Sequence, residues 1–137
     1  MIMTIPKGQL LTRTLSMPSD CNANGDIFGG WIMSQMDIAG GILAKEVAQG
    51  RVATISVDGM TFHKPVAVGD VVCCYGSCTH IGNSSMTINL EVWVKPVLNA
   101  PKSINFRYIV TEAIFTYVAI DDNGKSRKIE RTCELPS

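Results

Sequence analysis

One aspartate stands out for its surroundings. Between Trp31 and Ala44 the only charged residue is Asp37, and its neighbours are almost all apolar or small. A carboxylate in such a setting is costly unless it is paired or put to use. At helical spacing the residues three, four and seven positions away are Gly30, Met33, Ser34, Gly40, Gly41 and Ala44, and five of these six are Gly, Ala or Ser. Each glycine inside a helix costs up to about 1 kcal/mol relative to alanine. Two of them one turn from an acid leave room there. Either a ligand fills that room, or the small residues let another element pack closely.

The residues before the aspartate suggest the matching electrophile site. Asp26-Ile27-Phe28-Gly29-Gly30-Trp31 puts Gly29 and Gly30 at the start of the helix. The first turn of a helix has backbone N–H groups without intrahelical acceptors, and it carries the positive end of the dipole. Glycine lets a ligand come close to that backbone. Such N–H groups can polarise a carbonyl and stabilise an oxyanion. A carboxylate about two turns on could activate water or attack directly.

These residues need elements to hold them. Gln9 to Ser16 reads as a first strand, followed by the turn-forming loop Cys21 to Asp26. Gly30 to Gln49 reads as one helix, apolar on nearly all sides and hence buried, with Gly50 as its C-cap. Strands follow at Val52 to Phe62, Val71 to Ile81, Ser85 to Lys95 and Asn105 to Ile120. Ser85 to Lys95 has strict alternation, with Met86, Ile88, Leu90, Val92 and Val94 on one side. Gly82-Asn83 and Asp122-Asn123-Gly124 are turns, Pro96 to Lys102 is a loop, and a short strand runs to Ile129. The expectation is an α+β domain, one helix against an antiparallel meander, occupying 1–137. One sheet face covers the helix, and the open side and edges call for a second subunit.

Composition excludes several classes. The chain has 137 residues, enough for one core, and is 46% hydrophobic against 18% charged. That apolar excess again points to a homo-oligomer. Net charge is zero, which argues against a nucleic-acid partner. Lys125-Ser126-Arg127-Lys128 with Arg131 is the densest basic run and reads as a solvated hairpin. Five cysteines, Cys21, Cys73, Cys74, Cys78 and Cys133, follow a start without signal-peptide character, so reduced thiols in the cytoplasm are expected. Cys74, Cys78 and His80 would share a strand face, but adjacent strand positions converge poorly for tetrahedral zinc, and no metal is expected. The apolar stretch from Ile27 to Ala44 contains Asp37, Gln35, Ser34 and four glycines, so membrane insertion is not expected.

The run Asn22-Ala23-Asn24-Gly25-Asp26-Ile27-Phe28-Gly29-Gly30-Trp31-Ile32-Met33-Ser34-Gln35-Met36-Asp37 closely resembles the YciA-type bacterial acyl-CoA thioesterases. The likeness continues at Phe62-His63-Lys64-Pro65-Val66, Val68-Gly69-Asp70-Val71-Val72, Ser84-Ser85 and Glu91-Val92-Trp93-Val94. It implies a hotdog fold, in which a curved antiparallel sheet of about five strands wraps one long central helix. It also implies a double-hotdog dimer assembled into a hexamer, acyl-CoA as substrate, and Asp37 as the catalytic carboxylate. In related eukaryotic thioesterases an asparagine ahead of the Gly-Gly pair works with the acid of the opposite hotdog. By spacing it matches Asn22, with Asn24 as competitor. Phe28, where many hotdog thioesterases have histidine, fits the YciA subgroup, whereas Asn83 replaces an arginine often found before Ser84.

The reading is hydrolysis of an acyl-CoA thioester to free acid and CoA. Asp37 serves as base or nucleophile, the Gly29 and Gly30 amides as oxyanion hole, and the partner's counterpart of Asn22 as water-orienting group. The Thr54, Ser56 and Asp58 strand is expected beside the pantetheine arm, and Gly82, Ser84 and Ser85 near the nucleotide. Arg51 and Lys64 are candidate phosphate contacts. No cofactor is required, CoA being part of substrate and product. Two rival readings fit the sequence less well. A hotdog hydratase or dehydratase needs a histidine with the acid, and His63 and His80 lie outside the helix motif. A CoA-ester-sensing module would carry a DNA-binding segment, for which little chain precedes the first strand, and would have little use for a buried acid.

Overall fold

The computed structural model describes residues 5–96 and 106–130. β1 spans Gln9–Leu15, a 3-10 turn follows at Pro18–Asp20, and the long helix α1 spans Gly29–Ala48. Then come β2 (Val52–Phe62), β3 (Val71–Ile81), β4 (Ser85–Lys95) and β5 (Tyr108–Ala119). The five strands form one antiparallel sheet in the order β1-β3-β4-β5-β2. α1 lies across the sheet and touches every strand. This is the hotdog arrangement.

The meander holds only for β3 to β5. β2, which follows the helix in sequence, crosses to the far side and pairs with β5, so β1 and β2 are the two edges. The helix starts one residue earlier than expected. It ends with Gln49, not Gly50, in the left-handed conformation at φ 53°. β5 begins at Tyr108; the expected start at Asn105 and most of the Pro96 to Lys102 loop lie outside the described residues. The expected strand to Ile129 is reduced to an isolated Ile120–Ser126 bridge. Arg131 and Cys133 also lie outside the described residues.

The core sits between α1 and the inner sheet face. Met86, Ile88, Leu90, Val92 and Val94 meet Ile32, Met36, Ala39, Leu43 and Val47, with Phe115 and Tyr117 from β5. The alternation read in β4 is therefore the one the fold uses. The helix, however, is buried on one face only. Met33, Ile38 and Ile42 are exposed, Ile38 at 55%, and Ile55 of edge strand β2 is 61% exposed. Among the described residues no helix is long and apolar enough to cross a membrane.

Candidate active site

Asp37 sits half-buried in the middle of α1, facing β2 and β5. The Thr54 hydroxyl of β2 donates to Asp37 Oδ1 at 2.6 Å. That length is typical of a hydroxyl bonded to an ionised carboxylate. The Tyr117 hydroxyl of β5 lies 3.0 Å from Oδ1 and 3.0 Å from the Asp37 backbone carbonyl. Burial, reinforced by the adjacent Asp37 charge, pushes the Tyr117 phenol above its ordinary range, so it stays a donor. Thr54 and Tyr117 are themselves opposite one another in the β2–β5 ladder, which is why both reach the same oxygen.

Sequence reading did not single out Tyr117, which accounts for the glycine at position 40. A Cβ on Gly40 would collide with the Tyr117 hydroxyl and come within 3.0 Å of Leu90 Cδ1. The room at Gly40 is thus filled by protein, not by ligand. Gly41 is looser, its nearest such contact being Tyr117 Cε2 at 4.0 Å. The available signal was that Tyr117 falls on the inward side of β5 with Ala113 and Phe115.

The start of α1 is open. Phe28 is the N-cap, and among the described residues no side chain caps the first turn. The Ile32 N–H donates to the Phe28 carbonyl at 3.2 Å, so the amides of Gly29, Gly30 and Trp31 precede the helix's own ladder. A Cβ on Gly30 would meet nothing within 4 Å, whereas one on Gly29 would lie 3.3 Å from the Phe62 ring. A cleft of about 370 Å³ adjoins this end, lined by Ile27, Gly29, Phe62, Lys64 and Val66 among others. Asn22 stands in the loop ahead of it. Its side-chain oxygen accepts the N–H groups of Asn24 at 2.9 Å and Asp26 at 3.2 Å, so within one chain it braces that loop. Asn24 is exposed and contributes only its backbone to this turn.

The remaining candidates separate. Thr54 faces Asp37, but Ser56 and Asp58 pair with Thr116 and Ile114, past the register shift between Thr54 and Ser56. Those partners alternate with inward Phe115 and Tyr117, so Ser56 and Asp58 are on the outer sheet face. The bulge after Thr54 is what puts Thr54 and the Ser56–Asp58 pair on different faces. Gly82, Ser84 and Ser85 form the β3–β4 hairpin, where the Gly82 N–H donates to the Ser85 carbonyl and the Ala119 N–H to that of Ser84. Arg51 lies past the C-terminal end of α1, donating to the carbonyls of Asp121 at 3.4 Å and Asp122 at 3.2 Å. Lys64 lies in the cleft at the opposite end, 5.1 Å from the centre of the Tyr108 ring. One chain therefore does not bring Arg51 and Lys64 together. In the basic run, Arg127 is not simply solvated: it donates to the Ala48 carbonyl at 2.8 Å and the Ile120 carbonyl at 3.1 Å.

The hotdog scaffold thus carries a hydroxyl-held carboxylate in mid-helix and an uncapped helix start. The Thioesterase superfamily profile matches residues 24–99, more than half the chain. The chain is 62% identical over 125 residues to the acyl-CoA thioester hydrolase YciA of Escherichia coli, covering 91% of this chain and 93% of that one. Among solved structures, a hexameric thioesterase from Yersinia pestis is 64% identical with a TM-score of 0.86, covering 93% of this chain and 100% of that one. A hexameric hotdog-fold thioesterase of Campylobacter jejuni is 40% identical with a TM-score of 0.82, covering 90% and 91%. The chain belongs to the thioesterase superfamily, within its YciA-type group.

Proposed function

We propose that this protein hydrolyses acyl-CoA thioesters to a free acid and CoA, as a homohexamer in the cytoplasm. The observation that carries the reading is the Asp37 carboxylate, held by the Thr54 and Tyr117 hydroxyls on a helix whose first turn has no side-chain cap among the described residues. Those two features are what acyl transfer from a thioester needs. The thioester carbonyl lies against the Gly29 and Gly30 amides, which stabilise charge as it develops on oxygen. Asp37 removes a proton from the attacking water, or attacks the carbonyl itself to give an anhydride that water then opens. CoA leaves as the thiolate and takes a proton. The chemistry calls on a carboxylate and backbone amides alone, so no further cofactor is required.

Assembly supports the same reading. Ile38 and Ile42, one turn apart, make an exposed apolar stripe on α1, while Met33 is exposed on another side of the helix and Ile55 on edge strand β2. A second copy covering this stripe brings two helices together. In that pairing the amide-rich helix start and Asn22 of one subunit serve Asp37 of the other, and the braced loop sets Asn22 to orient the water. Arg51 and Lys64, apart in one chain, approach one CoA only from different subunits. Thr54 borders the pantetheine arm, and the Gly82 to Ser85 hairpin lies toward the nucleotide. Size-exclusion fractions assayed for free thiol release from a short-chain acyl-CoA test the proposal. Turnover is expected at the mass of a hexamer. A stable monomer at micromolar concentration, or a hexamer that releases no CoA, contradicts it.

A further inference from the structure

The active carboxylate has two oxygens, and they are not equivalent. Each carboxylate oxygen offers about two lone-pair sites. Thr54 Oγ1 at 2.6 Å and Tyr117 Oη at 3.0 Å both address Oδ1, and among the described residues no side chain addresses Oδ2. The Tyr117 phenol is itself fixed. It is 1% exposed and its ring stacks on Phe115 at 6.2 Å and 19°. Its hydroxyl also reaches the Asp37 backbone carbonyl at 3.0 Å, across the slot left by the missing side chain of Gly40. One phenol proton is thus shared between the main-chain carbonyl and the side-chain carboxylate of the same aspartate.

We propose that Tyr117 is a positioning residue: with Thr54 it pins Asp37 Oδ1, so that Oδ2 is the oxygen presented to the water or the thioester carbonyl. Gly40 belongs to this device, because any side chain there displaces the phenol. The inference rests on the proposed role of Asp37. It assigns the reacting oxygen and a second residue that acts through it.

The test uses the assembled enzyme and a short-chain acyl-CoA. Tyr117→Phe keeps the ring and removes the hydroxyl. kcat should fall about 10-fold or more, since small misplacements of a reacting group carry rate penalties of this order. KM should stay within about twofold, because substrate binding is not touched. Gly40→Ala should lower kcat similarly by pushing the phenol away. Added to Tyr117→Phe, Gly40→Ala should cost no further kcat, as no phenol oxygen remains to displace. A folded Tyr117→Phe enzyme with wild-type kcat, or losses that add independently, overturns the proposal. Should Tyr117→Phe fail to assemble, Gly40→Ala decides alone: wild-type kcat overturns the proposal, and a selective loss of kcat upholds it. Asp37→Asn is assayed alongside. If it retains turnover, the role of Asp37 falls; if it is inactive while Tyr117→Phe is wild type, only the role of Tyr117 falls.

Discussion

The N-terminal end of α1 begins at Phe28 and Gly29 with no side-chain cap, and Gly29 lines an adjoining cleft. Its C-terminal end is closed several times over. Gln49 turns into the left-handed conformation, Gln49 and Gly50 both donate to the Lys45 carbonyl, and Arg127 donates to the Ala48 carbonyl. The Arg127 cation is also placed well for the negative end of the helix dipole. On the proposed function, the bare donor end is the part of the helix that serves chemistry, and the closed acceptor end is the part that serves the fold.

The sharpest way to break this comparison is to remove one donor. Gly30→Pro deletes a backbone N–H in the first helical turn, where proline is tolerated. kcat is expected to fall by about 100-fold or more, the scale for losing an oxyanion-hole donor. The melting temperature should barely move. Gly30→Ala keeps the N–H and puts a methyl into open space. It should cost far less kcat than Gly30→Pro. If alanine and proline behave alike in the rate assay, the amide is not the reason for the glycine.

The opposite end should respond in the opposite currency. Arg127→Met keeps most of the side chain and removes both charged hydrogen bonds to the Ala48 and Ile120 carbonyls. A loss of about 1.5–3 kcal/mol in chemical denaturation is expected, with kcat per folded enzyme unchanged. A drop in kcat without a drop in stability would erase the distinction between the two ends.

How much of this was legible in the sequence follows the range of the forces involved. Alternation along Ser85 to Lys95 and turn formers at Gly82-Asn83 are local, and they located strands and hairpin correctly. The lone charge in an apolar helix picked out Asp37, because burial cost is legible from composition. The placement of β2 beside β5 was not legible, since pairing partners far apart in sequence leave no local mark. The same holds for Tyr117, which is 80 residues from Asp37. The glycines recorded its presence as missing volume at Gly40, but missing volume alone does not say whether ligand or protein fills it. The bulge after Thr54 was likewise hidden, and it turns Ser56 and Asp58 onto the outer face. A helix that looks apolar all round reads as buried; the exposed Met33, Ile38 and Ile42 show that in one chain it is not.

The central claim is that Asp37 does chemistry, and Asp37→Asn tests it most directly. Asparagine retains a carbonyl oxygen that can accept from Thr54 and Tyr117, and it replaces the other carboxylate oxygen with an amide that can neither take a proton nor attack. Turnover of a short-chain acyl-CoA and a thermal melt are measured on the same preparation. kcat is expected to fall by at least about 100-fold, the scale of losing a general base. The melting temperature should hold or rise, because a partly buried charge is removed while its hydrogen bonds remain. A variant that melts earlier yet turns over at the wild-type rate per folded molecule would contradict the account.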